Sequence, residues 1–319
     1  MHKTDLISDI FATLRIAGEL YFRAQLSGPF AVSIPPSQRH IRFHIVLNGS
    51  CWLCLEGEEP VPLEKGDILL VPHGATQSIK AAPDLAPADL GGLIGSGALR
   101  DGVLRVGKER EKAALLCGFL HFDEEIEHPV LALLPSHLHL RPEDMATVPW
   151  MRSTLDLISL EANRGEQGMA AIVSRLIEVI FIQTIRQLAQ TATDETKGFL
   201  RALSDKAIAR SLSAIHAEPE KKWLVEDLAA LAGQSRSAFA RNFAEEVGQT
   251  PMDYLRSWRL NKARMLLTTT HLSMGEVASR CGYDCVPSFS RSFKRAFHIG
   301  PGSFRRMGPE DRSEMGAIG

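Results

Sequence analysis

Residues 277–297 read VASRCGYDCVPSFSRSFKRAF. A short helix running to Arg280 meets a glycine, Gly282, and a second helix follows. Phe289, Phe293 and Phe297 fall at i, i+4 and i+8, one apolar stripe on that second helix. Ser288, Ser290, Arg291, Lys294 and Arg295 take its other faces. The same plan stands about fifty residues upstream. Leu228–Ser237 reads LAALAGQSRS: an Ala-rich helix end, Gly233, and Ser235 as the cap of a helix that carries Arg236 and Arg241. Phe239 and Phe243 make its matching stripe. Small residues let two helices cross closely, glycine supplies a positive φ, and the second helix is free to present its first turn to a major groove. Two helix-turn-helix units are therefore expected. They are joined by a helix over Pro251–Leu267, about 25 Å long at 1.5 Å per residue.

Charge supports this division. The whole chain carries 36 basic and 38 acidic residues. Residues 206–319 hold 17 basic against 12 acidic and residues 250–306 hold 10 against 3, whereas residues 1–205 hold 19 against 26. A basic second half points to an anionic partner. With 319 residues, 45% hydrophobic and 23% charged, the chain has the composition of two ordinary folded domains and is not disordered. Five cysteines fit a reducing compartment better than a disulfide framework. The start, MHKTDLISDIFATL, has acids inside its apolar stretch and is no signal peptide, and no apolar run approaches the roughly 20 residues of a membrane helix. A cytoplasmic protein with no membrane partner is expected.

The first half has a different texture. A short amphipathic helix is expected over Asp5–Leu14. From Phe30 to about Leu140, short apolar runs such as Phe43–Leu47, Trp52–Leu55 and Ile68–Val71 alternate with turn signals at Asn48-Gly49, Glu56-Gly57 and Lys65-Gly66-Asp67. That pattern predicts a sandwich or barrel. Pro83–Gly97 reads as a loop. Residues 145–190 change to helical periodicity. The segment Met169–Ala189 is apolar on more than one face, which predicts a homodimer seam over 169–189. Thr191–Lys197 (TATDETK) is polar and reads as part of a linker over 191–204. Further helices are expected at Lys206–Ala217, Val225–Ala232, Ser235–Val247, Met274–Cys281, Val286–Phe297 and Pro301–Met307.

The stretch GYDCVPSFSRSFKRAF…P…FRR, with LAALAGQSRSAFARNF and TPMDYLRSWRLNKARMLL upstream, resembles the AraC/XylS family of bacterial transcription regulators. The resemblance covers about 205–307. The N-terminal part resembles the cupin-type sensor domains of some of these regulators, through Leu20–Ala24 (LYFRA), Cys51–Leu53 (CWL), Gly66–Gly74 (GDILLVPHG), Leu116–Gly118 (LCG) and His128–Leu131 (HPVL). The implied fold is α+β and multidomain: a cupin-like β-barrel with dimerisation helices over 1–190, the linker 191–204, and an all-α double helix-turn-helix domain over 205–308. The implied function is sequence-specific binding of double-stranded promoter or operator DNA, as activator or repressor, with RNA polymerase as a further partner and a small-molecule effector bound by the cupin-like part.

The resemblance places Arg236, Ser237, Ala240 and Arg241 of the first recognition helix, and Val286, Pro287, Ser288, Ser290 and Arg291 of the second, at DNA-facing positions. Arg241 and Arg291 are the candidates for bidentate contact to guanine, while Arg236 and Lys294 suit phosphate. Four positions depart from the family pattern. His298 stands where glycine usually ends the helix, Gly300 replaces a Ser or Thr cap, Cys285 replaces a Ser cap, and Val286-Pro287 replaces polar residues. The second unit is therefore expected to read bases less strictly.

Catalysis has little support. Metal-binding cupins use an H-x-H…E motif and a later histidine. Here Gln77 takes the later histidine's place, and His40 and His44 stand about 13 Å apart along a strand, four residues at 3.3 Å. Cys51 and Cys54 would point to opposite strand faces. No catalytic residue, metal site or cofactor is assigned. His44, Trp52, His73 and Gln77 are the candidate lining of an effector pocket. A redox role for Cys117 or Cys285 stays open, as does the alternative of a cupin enzyme or small-molecule carrier with a helical appendage.

Overall fold

The computed structural model describes residues 5–37, 40–122, 131, 134–142, 149–191 and 199–307. Most of the TATDETK segment and of the HPVL motif lies outside them. The described chain forms two compact units, one holding 16–122 and 134–183, the other 5–15 and 184–307.

The first unit is built on one curled sheet. Its strands are β1 (Ala17–Ser27), β2 (Ala31–Ile34), β3 (His40–Leu55), β4 (Val61–Glu64), β5 (Ile68–Val71), β6 (Gln77–Lys80), β7 (Ala88–Asp89), β8 (Leu99–Arg100), β9 (Val103–Val106), β10 (Glu111–His121) and β11 (Leu138–Leu140). The main order is β7-β2-β6-β3-β10-β1-β9-β8, with β4 and β5 paired to β3 and β11 to β5. The long strand β3 makes the curl. Ala114 pairs with Asn48 but Leu115 pairs with Val46, so Leu47 is an extra residue in the ladder. Next to it Gly49 has φ 73°, and a Cβ there would lie 1.8 Å from the Lys112 carbonyl oxygen. A bulge beside an obligate glycine bends the strand. Its first half pairs with β10 and β5, its second half with β4 and β6. The inside is filled by Phe22, Leu26, Phe30, Leu53, Leu69 and Leu115 among others. This is a cupin-like half-barrel; the alternating runs predicted a sandwich or barrel, and the resemblance implied the cupin type. Strand β1 precedes the region read as strand-like, and the segment read as loop holds β7 and a short helix, α2 (Leu90–Gly95), whose N-cap Asp89 accepts from the Gly92 N–H. At six residues it is too short to show periodicity.

Two helices follow, α3 (Pro149–Arg164) and α4 (Met169–Thr191). Gly18 lets α4 lie directly on β1: a Cβ there would be 2.6 Å from the Ser174 carbonyl oxygen, and the Gly18 N–H donates to Glu178 Oε1 at 2.8 Å. Val173, Ile177, Ile180 and Phe181 are fully buried within the chain. Most of the apolar surface of α4 is thus core. The apolar side chains left exposed on this helix pair are Ile172 and Val179 of α4 with Leu157 and Leu160 of α3.

The second unit is helical: α1 (Leu6–Leu14), α5 (Phe199–Ser204), α6 (Lys206–Ala217), α7 (Val225–Ala232), α8 (Arg236–Val247), α9 (Pro251–Thr269), α10 (Met274–Arg280), α11 (Val286–Phe297) and α12 (Pro301–Arg306). All but α5 stand where sequence periodicity placed them, to within two residues at either end. Around α9, His216 stacks on Trp258 with ring centres 3.6 Å apart and shares a 2.8 Å hydrogen bond with the Tyr254 hydroxyl. A second cluster holds Leu267, Val277, Phe289, Phe293 and Phe304.

Candidate nucleic-acid interface

The first helix-turn-helix is α7, a turn, and α8. Ala229 and Ala232 are buried, as a close crossing needs. Gly233 adopts φ 68° and its N–H closes back on the Ala230 carbonyl. Ser235 caps α8, accepting from the Ala238 N–H at 3.4 Å. Phe239 and Phe243 are fully buried beneath the helix, which leaves Arg236, Ser237 and Arg241 exposed and Ala240 half-buried. Arg236 does not stand alone. Its Nε lies 3.1 Å from Glu226 Oε1 on α7, an exposed pair of small energetic weight that an incoming phosphate can displace.

The second unit, α10 to α11, repeats the plan with a stricter turn. Ser273 and Glu276 form a reciprocal capping box on α10. Gly282 has φ 75°, and a Cβ there would fall 2.7 Å from both the Arg259 guanidinium and the Pro219 carbonyl oxygen. Cys285 holds the N-cap position of α11 without a side-chain hydrogen bond, so it does not replace the expected serine. Pro287 sits in the first turn, where no intrahelical N–H partner is lost. Val286, Pro287, Arg291 and Lys294 are exposed, Ser288 and Ser290 half-buried, over a floor of Phe289 and Phe293. The stripe that Phe297 continues is completed by α12, with Phe293 and Phe304 edge to face at 5.5 Å.

One residue that carries no local signal ties the turn of the second unit to the segment preceding the first. Arg259, on α9, donates from Nε to the Pro219 carbonyl at 2.6 Å and from Nη2 to the Lys221 carbonyl at 2.8 Å. Its guanidinium also fills the space over Gly282. An arginine inside a helix of many cations carries no sequence signal of such a role.

Residues 5–190 match a family model described as a cupin and residues 228–307 one described as a helix-turn-helix domain. The chain is similar to the HTH-type transcriptional regulator AlkR of Acinetobacter baylyi, at 31% identity over 307 residues, 95% of this chain and 99% of that one. It is similar at 28% identity, over 95% of its own length and 98% of the relative's, to an AraC-like transcription regulator of Streptomyces lividans. The chain belongs to the AraC family of DNA-binding transcription regulators. A solved DNA-binding domain of this kind, that of AdpA in complex with a target DNA, is 32% identical over 32% of this chain and 90% of that one, with a TM-score of 0.30.

In this AraC-type regulator, His44 and Gln77 of the residues expected to line an effector pocket are buried side by side, Trp52 is half-buried and His73 is exposed. His44 is buried in the half-barrel, its Nδ1 3.2 Å from Cys117 Sγ, and Gln77 lies buried beside it without hydrogen-bond geometry. Burial, followed by the Arg42 charge, pushes His44 down to about 4, so it is neutral near pH 7. Burial raises the Cys117 thiol far above its usual range, leaving it unreactive. Trp52 alternates with the buried Cys51 and Leu53 and so faces outward, and His73 is exposed, its Nε2 2.7 Å from the Leu134 carbonyl oxygen. Among the described residues, a hollow of about 20 Å³ inside the barrel is lined by Phe22, Leu26, Ile79, Leu115 and Cys117 among others, and by none of the four. Among the described residues no three His, Cys, Asp or Glu side chains gather as a metal requires, and no helix is long and apolar enough to cross a membrane.

Proposed function

We propose that this AraC-type regulator reads two successive major-groove sites, with α8 and α11, and switches with a small-molecule effector. The observation that carries the reading is the pair of glycine-turned helices whose outer faces expose Arg236, Ser237, Arg241, Arg291 and Lys294 over buried phenylalanines. Arg241 and Arg291 are exposed and make no ion pair among the described residues, which suits a bidentate grip on guanine. Arg236, Ser237, Ser288, Ser290 and Lys294 suit phosphate, and Ala240, Val286 and Pro287 offer only methyl contacts. The half-site under α11 is then the more degenerate.

The domain reading stays as 1–190 for sensing and dimerisation, 191–204 as linker and 205–308 for DNA. The homodimer seam is assigned to the exposed Leu157, Leu160, Ile172 and Val179 within and beside 169–189. RNA polymerase is the further partner, the compartment cytoplasmic, and no catalytic role is assigned. A randomised-site selection on wild type, Arg241→Ala and Arg291→Ala tests the base contacts. Each variant is expected to lose discrimination at one or two base pairs, worth about 1–3 kcal/mol, with the two sets about one turn apart. Affinity is expected to fall with salt at a log–log slope near −5 to −9, for roughly six to ten phosphates. A uniform loss of affinity across all sequences overturns the assignment of these arginines.

A further inference from the structure

The helical unit carries an open groove of about 1070 Å³. It is formed by the start of α1, the end of α4, and α5, α6 and α7, all within that one unit. We infer that this groove binds an amphipathic organic anion: an apolar body with one anionic head. This rests on the reading of the chain as effector-responsive and gives that effector a seat and a chemical class.

The lining sets the class. Leu6, Ile7, Ala189, Leu203, Ala209 and Leu231 give the groove an apolar surface of a size suited to a small organic ligand. Among the described residues, three cations, Arg186, Lys206 and Arg210, stand on it against one carboxylate, Asp5. That carboxylate is already committed: as the N-cap of α1 it accepts from the Ser8 N–H at 3.2 Å and the Ser8 hydroxyl at 2.6 Å, and it feels the charge of Arg186. Lys206 and Arg210 lie four residues apart on one face of α6, both exposed, and neither makes an ion pair among the described residues. Two unmatched cations beside an apolar surface suit an anion with a greasy tail, and repel an amine with the same tail.

The location gives such a ligand a lever. Leu231, on the last turn of α7, lines the groove with 39% of its surface exposed. Arg210 Nη1 is 3.5 Å from the Leu231 carbonyl oxygen, at the limit of a hydrogen bond, two residues before the Gly233 turn. A ligand that draws Arg210 to its head group and packs on Leu231 acts on the turn that aims α8.

The test uses the full chain and isothermal titration calorimetry with decanoate, decanol and decylamine. Decanoate is expected to bind saturably with one site, decanol about tenfold more weakly for loss of a charge-assisted contact, and decylamine not at all. The double variant Lys206→Gln/Arg210→Gln is expected to lose about tenfold or more for decanoate only, and Ala209→Trp, which fills the groove, to lose decanoate and decanol alike. Circular dichroism and operator binding without ligand check that each variant is folded. No saturable decanoate binding by wild type, equal affinity for decanoate and decylamine, or full affinity in both variants overturns the inference. Binding that survives in both but is lost in the barrel variant Gln77→Leu leaves an effector-responsive regulator standing with its ligand elsewhere. Absence of operator binding by ligand-free wild type, with decanoate still bound, fails the DNA reading alone.

Discussion

The guanidinium carbon of Arg264, buried to 2% exposure, lies 4.9 Å from the centre of the Phe297 ring. It lies 5.3 Å from that of Phe304 as well. One cation of α9 thus holds the end of the second recognition helix and α12 against the joining helix. Arg264→Leu, which keeps the bulk but not the charge, is expected to cost about 2 kcal/mol, the weight of a desolvated cation–π contact. Urea denaturation of the full chain, followed by circular dichroism, measures it. An unchanged midpoint would show that apolar packing alone fixes α11.

His298, standing where the family usually has glycine, ends α11 at φ 58°, in the left-handed region. A residue with a Cβ there costs about 1 kcal/mol relative to glycine. His298→Gly is therefore expected to raise the melting temperature by a few degrees. The same substitution leaving it unchanged would mean the αL turn is held by its surroundings rather than tolerated.

The helix pair separates association from folding. Val179→Asp places a charge on an exposed apolar side chain and is expected to yield folded monomers in analytical ultracentrifugation. Ile177→Asp and Ile180→Asp put the charge on fully buried positions instead, and are expected to abolish folding. Val179→Asp that still sediments as wild type would remove α4 from any seam.

His44 makes stability pH-dependent. Its folded value of about 4 lies below the ordinary 6.5, so the unfolded chain binds the proton first. The neutral ring's contribution is complete above pH 6.5 and is lost as pH falls towards 4, up to about 3 kcal/mol at 1.36 per unit. Denaturation midpoints between pH 7 and 4.5 are expected to fall in wild type and to fall less in His44→Leu. Parallel curves would contradict this.

The helical unit was legible because each of its elements is marked locally. The Thr250-Pro251 cap, the Ser273/Glu276 box, Gly233 and Gly282, and the Phe stripes are all short-range signals, and they all agree. For the candidate site, the exposure of Arg236, Arg241, Arg291 and Lys294 followed from which face the phenylalanines bury. What the sequence hid depends on distant partners. Nothing local marks Arg259 as the link between the segment before α7 and the Gly282 turn, nor shows that Gly18 brings α4 onto the sheet and turns its apolar faces into core. The same holds for His44 and Gln77, read as pocket lining because polar residues on strands invite it. Whether such a residue lines a cavity or is packed shut is decided by β1, β3, β6 and β10 together.

The grip of Arg259 on the backbone at 219–221, together with its seat over Gly282, makes α9 a ruler rather than a tether. A ruler measures phase as well as length. One base pair inserted between the two half-sites turns the far one by about 35° around the DNA axis, and a rigid rod cannot follow. On the proposed reading of two half-sites, a promoter for this regulator is one indivisible word: its two halves can each drift in sequence, but the gap between them is expected not to change by a single letter.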